Sequence, residues 1–340
     1  MSGSSKIIRS ICLFQKTVSS TSVGRLKDLS ARLGRAGFEV QTERIVTVSK
    51  NIQTLEETVN DSNLFLGLGS ISLEEAQNLF DSFAKSKMVS FHMDLTEESI
   101  TESSVDWLWQ LMLNCPDKMF RFSCCFSNPP SAAYFPSARY EQDGFSIGLQ
   151  PTDLAVDYQS IDEWLDAMKQ TWIELIVLFQ DMPDFLGIDS SIAPMGPDSG
   201  SLVGLVNRLS GGFESAILSE TFLKMTRFIR EENPKPVGLC GLMLPCLEDF
   251  LLADLYEAGQ FPLERNLFLS LHSGLGIDTY PIGIDENKQS VLNILKLVQG
   301  LSHKYHKPLS IRFVSDGKAK IGEKTDLRSP YLKDVVVRAL

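Results

Sequence analysis

The chain lacks several features that would assign it to well-known classes of protein. Its apolar runs are all shorter than about 18 residues, the length a membrane-spanning helix needs. It has no block of consecutive lysines and arginines, and 43 acidic against 32 basic residues give a net charge of −11. We therefore expect no membrane span and no nucleic-acid partner, because a polyanion would be repelled on average. The first residues hold no apolar segment of signal-peptide length, so we expect a cytoplasmic protein.

Cysteine and histidine are also scarce. The six cysteines do not form a CxxC pair, and the four histidines do not supply a His-x₃₋₅-His partner, so a structural zinc site is not expected. A cytoplasmic chain keeps such thiols reduced. The vicinal pair Cys124-Cys125 is best explained as two small apolar side chains on opposite faces of a strand.

Apolar segments alternate with segments of helical period along most of the 340 residues. We predict ten strands, at residues 7–14, 38–48, 64–69, 88–94, 120–126, 145–149, 185–189, 236–244, 267–271 and 309–314. Strands separated by helices favour parallel pairing through crossover connections. No low-complexity linker divides the chain. We predict one α/β domain over residues 1–340 with an irregular tail from about residue 317. A barrel wider than the eight-stranded kind is one solution, and an open doubly wound sheet is the alternative.

The stretch LFLSLHSGLGIDTYPIGI, residues 267–284, is the first candidate for a site. We interpret its apolar start as a buried strand whose end presents His272, Ser273 and Gly274, with Asp278 beyond the glycine turn. Ligands of α/β proteins bind at the carboxyl ends of strands. His272 and Asp278 would then form an acid–base pair, although a histidine with satisfied hydrogen bonds in the core is the more ordinary explanation.

Carboxylates follow three of the predicted strands. Asp189, Glu248 and Asp278 would meet at one end of the sheet, where they repel each other, carry a raised pKa or bind a cation. Asp189, Glu248 and Asp249 are the candidate ligands for Mg²⁺ or Mn²⁺. The competing explanation is structural, because short acidic side chains also cap helices and turns.

Two arginines stand within predicted strands. Arg312 in SIRFV and Arg121 in FRF require anionic partners if they are buried. These partners are either internal carboxylates or the carboxylate or phosphate of a substrate. With Asn128 in the following loop, Arg121 and Arg312 would suit a small anionic substrate.

Four motifs resemble those of one family, domain of unknown function 711. They are Phe120-Arg121-Phe122 with Asn128-Pro129-Pro130 and Tyr134-Phe135-Pro136, FLGIDSSIAP at 185–194, GLCGLMLPCLED at 238–249, and SGLGIDTYPI at 273–282. The resemblance extends over nearly the whole chain. It implies a ten-stranded α/β barrel similar to pyruvate formate-lyase and other glycyl radical enzymes. Those enzymes carry a radical glycine near the C-terminus, whereas residues 327–340 contain no glycine, so radical chemistry is not expected.

Three functions fit this pattern. The first is an enzyme, of lyase or isomerase type, acting on a small carboxylate-bearing metabolite inside the barrel. In it Asp189, Glu248, His272 and Asp278 act as acid–base groups, and the binding residues are Arg121, Asn128, Ser273, Gly274 and Arg312. The second is a non-catalytic metabolite-binding or regulatory protein. The third is a scaffold whose barrel is filled by its own side chains. A homodimer is allowed but not required.

Overall fold

A computed structural model describes residues 6–61 and 63–340, which form a mixed α/β fold with a ten-stranded sheet. The strands are β1 (Lys6–Phe14), β2 (Phe38–Val40), β3 (Glu43–Val46), β4 (Leu64–Ile71), β5 (Val89–Asp94), β6 (Phe122–Phe126), β7 (Gly144–Leu149), β8 (Phe185–Asp189), β9 (Gly276–Pro281) and β10 (Leu309–Val314).

Helices follow most strands, as crossover connections between parallel strands require. They are α1 (Ser20–Arg35), α2 (Ile52–Val59), α3 (Leu73–Lys85), α4 (Glu102–Asn114), α5 (Ile161–Leu178), α6 (Leu202–Leu209), α7 (Phe213–Ile217), α8 (Thr221–Glu231), α9 (Phe250–Glu257), α10 (Leu263–His272) and α11 (Lys288–Tyr305). Short 3₁₀ turns precede β6 and α5.

The strands form two sets that run in opposite directions: β1 to β6 make up the middle of the sheet, and the pairs β7–β8 and β9–β10 flank it on either side. We call each set a half-sheet. Its order is β8-β7-β1-β3-β4-β5-β6-β10-β9, with β2 paired to β1 beside this path. Strands β1 to β6 pair in parallel with one another, and so do β7 with β8 and β9 with β10. The β1–β7 and β6–β10 pairs, where the halves meet, are antiparallel. The carboxyl ends of the two half-sheets therefore lie at opposite ends of the sheet.

Residues 236–245 lie beside both end strands of the sheet. Parallel bridges join Pro236 to Ile188 in β8 and Pro245 to Asp278 in β9, and Leu242 bridges to Ile192 and Gly274. We predicted a strand at 236–244, but the structure has only isolated bridges there. The prolines and glycines in PVGLCGLMLP prevent a continuous hydrogen-bonded ladder.

The predicted strand at 267–271 is wrong. These residues belong to α10, and the following strand, β9, begins only at Gly276. Leu263, Asn266, Leu269 and Ser270 are buried at helical spacing on one side of α10. His272 therefore ends a helix and does not sit at the end of a strand.

Each face of the sheet packs against a different layer. Ile11, Leu13 and Ile45 belong to the main core, which the helices cover. Cys12, Phe14 and Val46 alternate with them and contact Ala133, Tyr134 and other side chains of the 127–143 connection between β6 and β7. We call that connection the central loop and the face it covers the inner face. The Phe135–Pro136 peptide bond in this loop is cis.

Two glycines leave room for the aromatic rings of the central loop. A Cβ added to Gly67 in β4 would lie 2.9 Å from the Phe135 ring, and one added to Gly148 in β7 would lie 2.7 Å from the Tyr134 ring. The Tyr134 hydroxyl donates to the carbonyls of Leu149 and Ser191. The strands and the loop are thus fitted to each other closely.

After β10 the chain has no further helix or strand. It packs back onto the body of the protein through a bridge between Lys324 and Val336, and the Lys333 amide donates to the Leu247 carbonyl. In the part of the chain that the structure describes, no helix combines the length and the apolarity that crossing a membrane demands.

Candidate functional site

A buried cluster of arginines and carboxylates lies on the inner face. Arg312 Nε donates to Asp278 Oδ1 at 2.6 Å, and Arg312 Nη2 donates to Glu248 Oε1 at 2.5 Å. Arg9 Nη2 donates to the other oxygen of Glu248 at 3.2 Å. One guanidinium therefore holds two carboxylates side by side, and a second one secures Glu248. We call these four residues the charged cluster.

Irregularities in the sheet bracket both arginines. The pairing register of β1 with β7 shifts between Ile8 and Ser10, and that of β10 with β9 shifts between Ile311 and Phe313. Such irregularities re-aim the side chain at the bulge. They allow strands with buried apolar neighbours to present Arg9 and Arg312 to the same group of carboxylates.

Burial and pairing oppose each other within the cluster. Burial raises the pKa of Glu248 above its usual range, and the nearby Arg312 and Arg9 counteract this. Burial lowers the pKa of Arg9. Burial alone would also lower the pKa of Arg312, but the carboxylates of Asp278 and Glu248 raise it instead. Arg312 is thus held firmly as a cation, whereas burial makes it easier for Glu248 to take up a proton.

A small cavity adjoins the cluster. It has a volume of about 30 Å³, and its wall includes Asp278 and Arg312 together with Tyr134, Phe135 and Ser137 of the central loop. This volume matches roughly one water molecule. The Asp278 side chain is 16% exposed and that of Glu248 is 6% exposed, so Asp278 is the carboxylate closer to solvent.

The Asp189 carboxylate is engaged in hydrogen bonds within the protein. Its carboxylate accepts hydrogen bonds from the Ser191 hydroxyl at 2.6 Å and from the amides of Leu239 and Cys240, both at 3.1 Å. A Cβ on Gly238 would lie 2.3 Å from Asp189 Oδ2, so the backbone approaches very closely. Burial raises the pKa of Asp189 despite these bonds. Of the three carboxylates predicted to meet, two share Arg312, and Asp189 fastens the 236–245 segment.

Asp249 caps two helices at once. Its oxygens accept from the amides of Leu251 and Leu252 in α9 and of Leu202 in α6, and from the Ser201 hydroxyl. Over residues 6–61 and 63–340, no three His, Cys, Asp or Glu side chains are grouped so that they would hold a metal ion. The described residues therefore do not show the Mg²⁺ or Mn²⁺ site predicted at Asp189, Glu248 and Asp249.

His272 does not pair with Asp278 as predicted. Its Nδ1 lies 2.8 Å from the hydroxyl of Ser273, and burial, together with Lys307, lowers its pKa. Ser273 also lies 3.4 Å from the Thr226 hydroxyl, and Gly274 bridges to Leu242. All three predicted residues precede β9, whereas Asp278 lies within it, because α10 replaces the predicted strand.

Asn128 and Arg121 make contacts away from the charged cluster. Asn128 Nδ2 donates to the Ser137 carbonyl at 2.6 Å and lies 3.2 Å from Nε2 of the buried His92. It follows β6, at the end of the sheet opposite to the carboxyl end of β10. Arg121 donates to the Lys87 carbonyl. Neither residue lines the cavity itself, although Asn128 holds Ser137 of its wall.

Sequence reasoning missed Arg9 and Arg44. Arg44 in β3 is buried and is electrostatically close to Arg9 and Glu248. The signal was the one that singled out Arg312, namely a charged residue inside a short β-branched strand. It was overlooked because KIIRSICLF and ERIV were judged only for strand character.

These observations define an α/β protein with a buried arginine–carboxylate cluster against a loop on the inner face of its sheet. The chain belongs to the domain of unknown function 711 family, described as "Uncharacterised ACR (DUF711)", whose match covers residues 117–328. The resemblance noted from the motifs is thereby confirmed. A comparison with curated proteins gave no match.

Proposed function

We propose that the protein is an enzyme that acts on a small carboxylate-bearing metabolite by acid–base chemistry, of the lyase or isomerase type. The observation that carries this proposal is the pair Glu248 and Asp278 held by a single guanidinium beside a cavity. Ionisable groups with shifted pKa values that lie close together in a cleft are typical of catalytic sites.

The two carboxyl groups are suited to different roles. Glu248 is an anion between Arg9 and Arg312 in the free protein, but burial raises its pKa, so it can take up a proton during the reaction and return it as the general acid. Asp278 is more exposed and lines the cavity, which makes it the general base. Arg312 already donates to Asp278, Glu248 and the Phe120 carbonyl. It therefore positions the pair, and the substrate carboxylate requires a further cation.

Access to the site depends on the central loop. A space of about 30 Å³ accommodates about one water molecule. We propose that the side chains of Tyr134–Ser137 move when a metabolite binds, since they form the wall opposite Asp278 and Arg312.

We further propose that the sheet closes into a ten-stranded barrel within one domain, as in glycyl radical enzymes. The bridges from 236–245 to both end strands support closure. The antiparallel meeting of two parallel half-sheets and the loop packed on the inner face are in keeping with such a barrel.

Solvent deuterium exchange tests the catalytic proposal. The protein is incubated in D₂O with a panel of 2-hydroxy, 2-oxo and unsaturated carboxylic acids, and loss of carbon-bound protons is followed by ¹H NMR. We expect exchange into one class of acid, reduced about 10²- to 10⁴-fold in Asp278→Asn and in Glu248→Gln. Asp166→Asn, an exposed change in α5, is the matched control. Equal exchange by all four proteins would refute the assignment.

A non-catalytic metabolite-binding or regulatory protein is the second candidate. The observation that favours it is that the cavity wall contains, apart from Asp278 and Arg312, only uncharged residues. In that case an acid from the panel would raise the melting temperature without any deuterium incorporation. A panel with no effect on either measurement would favour a scaffold filled by its own loop.

A further inference from the structure

Among the residues that the structure describes, Arg44 is a buried cation without an anionic partner. It is 8% exposed and lies on β3, two residues before Val46 and thus on the same inner face. Its Nε donates to the Thr42 hydroxyl at 3.1 Å, and its guanidinium lies 4.7 Å from the centre of the Phe135 ring. Its Nη1 is buried with no hydrogen-bond partner.

The charges around Arg44 do not balance. Arg9, Arg44 and Arg312 face the carboxylates of Glu248 and Asp278. Both carboxylates are already engaged by Arg9 and Arg312, and within residues 6–61 and 63–340 Arg44 has no ion pair. Burial, together with the nearby Arg9, lowers the pKa of Arg44 to about 9. Among these five groups, with Glu248 ionised, the positive charges exceed the negative charges by one.

Phe135 links Arg44 to the cavity. Its ring covers the guanidinium on one side and forms part of the cavity wall on the other. Gly67 lets the ring approach β4, since a Cβ there would lie 2.9 Å from it. Movement of this one ring would open a path from the cavity beside Asp278 to the unpaired Nη1 of Arg44.

We propose that Arg44 binds the carboxylate of the small molecule that occupies this cavity, and that the ligand carries a single negative charge. Arginine forms charge-assisted hydrogen bonds with carboxylates, and its burial here strengthens them. A monoanion would balance the three arginines against the two carboxylates, whereas a dianion would leave an excess negative charge next to Glu248. This inference rests on the proposed function only because both concern the same cavity.

The test compares Arg44→Met with the wild type, free and with ligand. Propionate and succinate, matched in ionic strength with chloride, serve as probes of one and two carboxylates, and binding is measured by calorimetry and thermal shift. We expect propionate to bind the wild type more tightly than succinate does. We expect its dissociation constant to be about 10- to 100-fold higher in Arg44→Met. Arg227→Met removes an exposed charge from α8 and serves as control.

The free protein gives a second, independent measurement. Replacing an unpaired buried cation with an apolar side chain of similar length is expected to leave stability unchanged or to raise it. A lower melting temperature of free Arg44→Met with unchanged propionate affinity would show that Arg44 is structural and overturn the proposal. Failure of both probes to bind the wild type, or tighter binding of succinate, would also overturn it. Arg44-dependent binding without deuterium exchange would reject catalysis alone.

Discussion

At the scale of single residues, the inner face carries both paired and unpaired charged side chains. Arg312 is enclosed by Asp278 and Glu248, and an ion pair of this kind is strongly destabilising to break because it leaves a buried charge without compensation. Arg44 lies opposite Cys12 on the strand next to that of Arg9, and it has no such partner among the described residues. A protein that needed these groups only for folding would gain little from keeping Arg44 there, which is why we assign it to ligand binding.

His92 gives a prediction about pH. It is fully buried, with Nε2 2.8 Å from the Ser70 hydroxyl and Nδ1 3.0 Å from the Pro136 carbonyl. Burial lowers its pKa to about 4, while Asp94 and the Pro136 carbonyl oppose the shift and Arg139 and Lys50 reinforce it. The unfolded chain therefore binds this proton first, near pH 6.5. Stability is lost as the pH falls from about 6.5 to 4.

The measurement is the urea unfolding free energy between pH 4 and 7. We expect His92→Gln to remove up to about 3 kcal/mol of the loss that the wild type shows on acidification, following the size of the pKa shift. His306→Asn changes an exposed histidine at a left-handed helix end, where Asn is tolerated, and should keep the full loss. An unaltered pH dependence in His92→Gln would mean that His92 is not the buried neutral group.

Residue-level prediction succeeded where a charged side chain stood out against apolar neighbours. Arg312 was expected to pair with an internal carboxylate or to bind substrate, and it pairs with Asp278 and Glu248. The sequence could not predict that Glu248 and Asp278 share Arg312 as a partner whereas Asp189 does not. This arrangement depends on bulges and on Gly238, which brings the 236–245 backbone against Asp189.

At the scale of elements, α10 shows why a short apolar run is ambiguous. LFLSLH was interpreted as a strand, because apolar runs of this length fit both buried strands and helices. Its Phe268 is 44% exposed and Leu271 is 38% exposed, while Leu269 and Ser270 are buried. Only a helical period reproduces this pattern of exposure. The sequence feature that indicated a helix was Pro262, which stands at the start of α10. The glycine turn at 274–276 therefore leads into β9, whereas we expected it to end a strand at 267–271.

The contact of β7 with the central loop gives a prediction at this scale. A Cβ on Gly148 would lie 2.7 Å from the Tyr134 ring, which is buried between the sheet and the loop. We expect Gly148→Ala to reduce the unfolding free energy by about 1–3 kcal/mol, as overpacking of a core does. Gly24→Ala in α1 meets nothing within 4 Å and should raise it by about 0.5–1 kcal/mol.

Urea unfolding monitored by tryptophan fluorescence measures both variants. Gly148→Ala should also loosen the central loop, seen as faster proteolysis between β6 and β7 under native conditions. If both glycine variants changed stability in the same direction and by the same amount, Gly148 would not be a packing position for Tyr134.

At the scale of the whole molecule, strand direction decides which predicted residues meet. We expected mostly parallel pairing with all carboxyl ends at one mouth. Pairing is parallel within each half-sheet, but the halves run in opposite directions. Glu248 and Asp278 meet because 236–245 and β9 run in parallel. Asn128 is remote because β6 and β10 are antiparallel. The crossover pattern of the sequence predicts the half-sheets, whereas the long 127–143 connection carries no signal for the reversal between them.

The 236–245 segment decides whether the sheet is open or continuous. The Val237 amide donates to the Ile188 carbonyl in β8, and the Cys246 amide donates to the Asp278 carbonyl in β9, so both end strands hold the same stretch. If these bonds close the sheet, their amides open only when the whole sheet does, and hydrogen exchange should occur at the rate set by global unfolding. We expect peptides covering 237–246 to be as protected as those covering β4 and β5, with the exposed turn at 97–99 exchanging fast. In an open sheet the segment would exchange by local opening, well before β4 and β5. Such local opening would also separate Glu248 from Arg312, because Glu248 lies just after this segment.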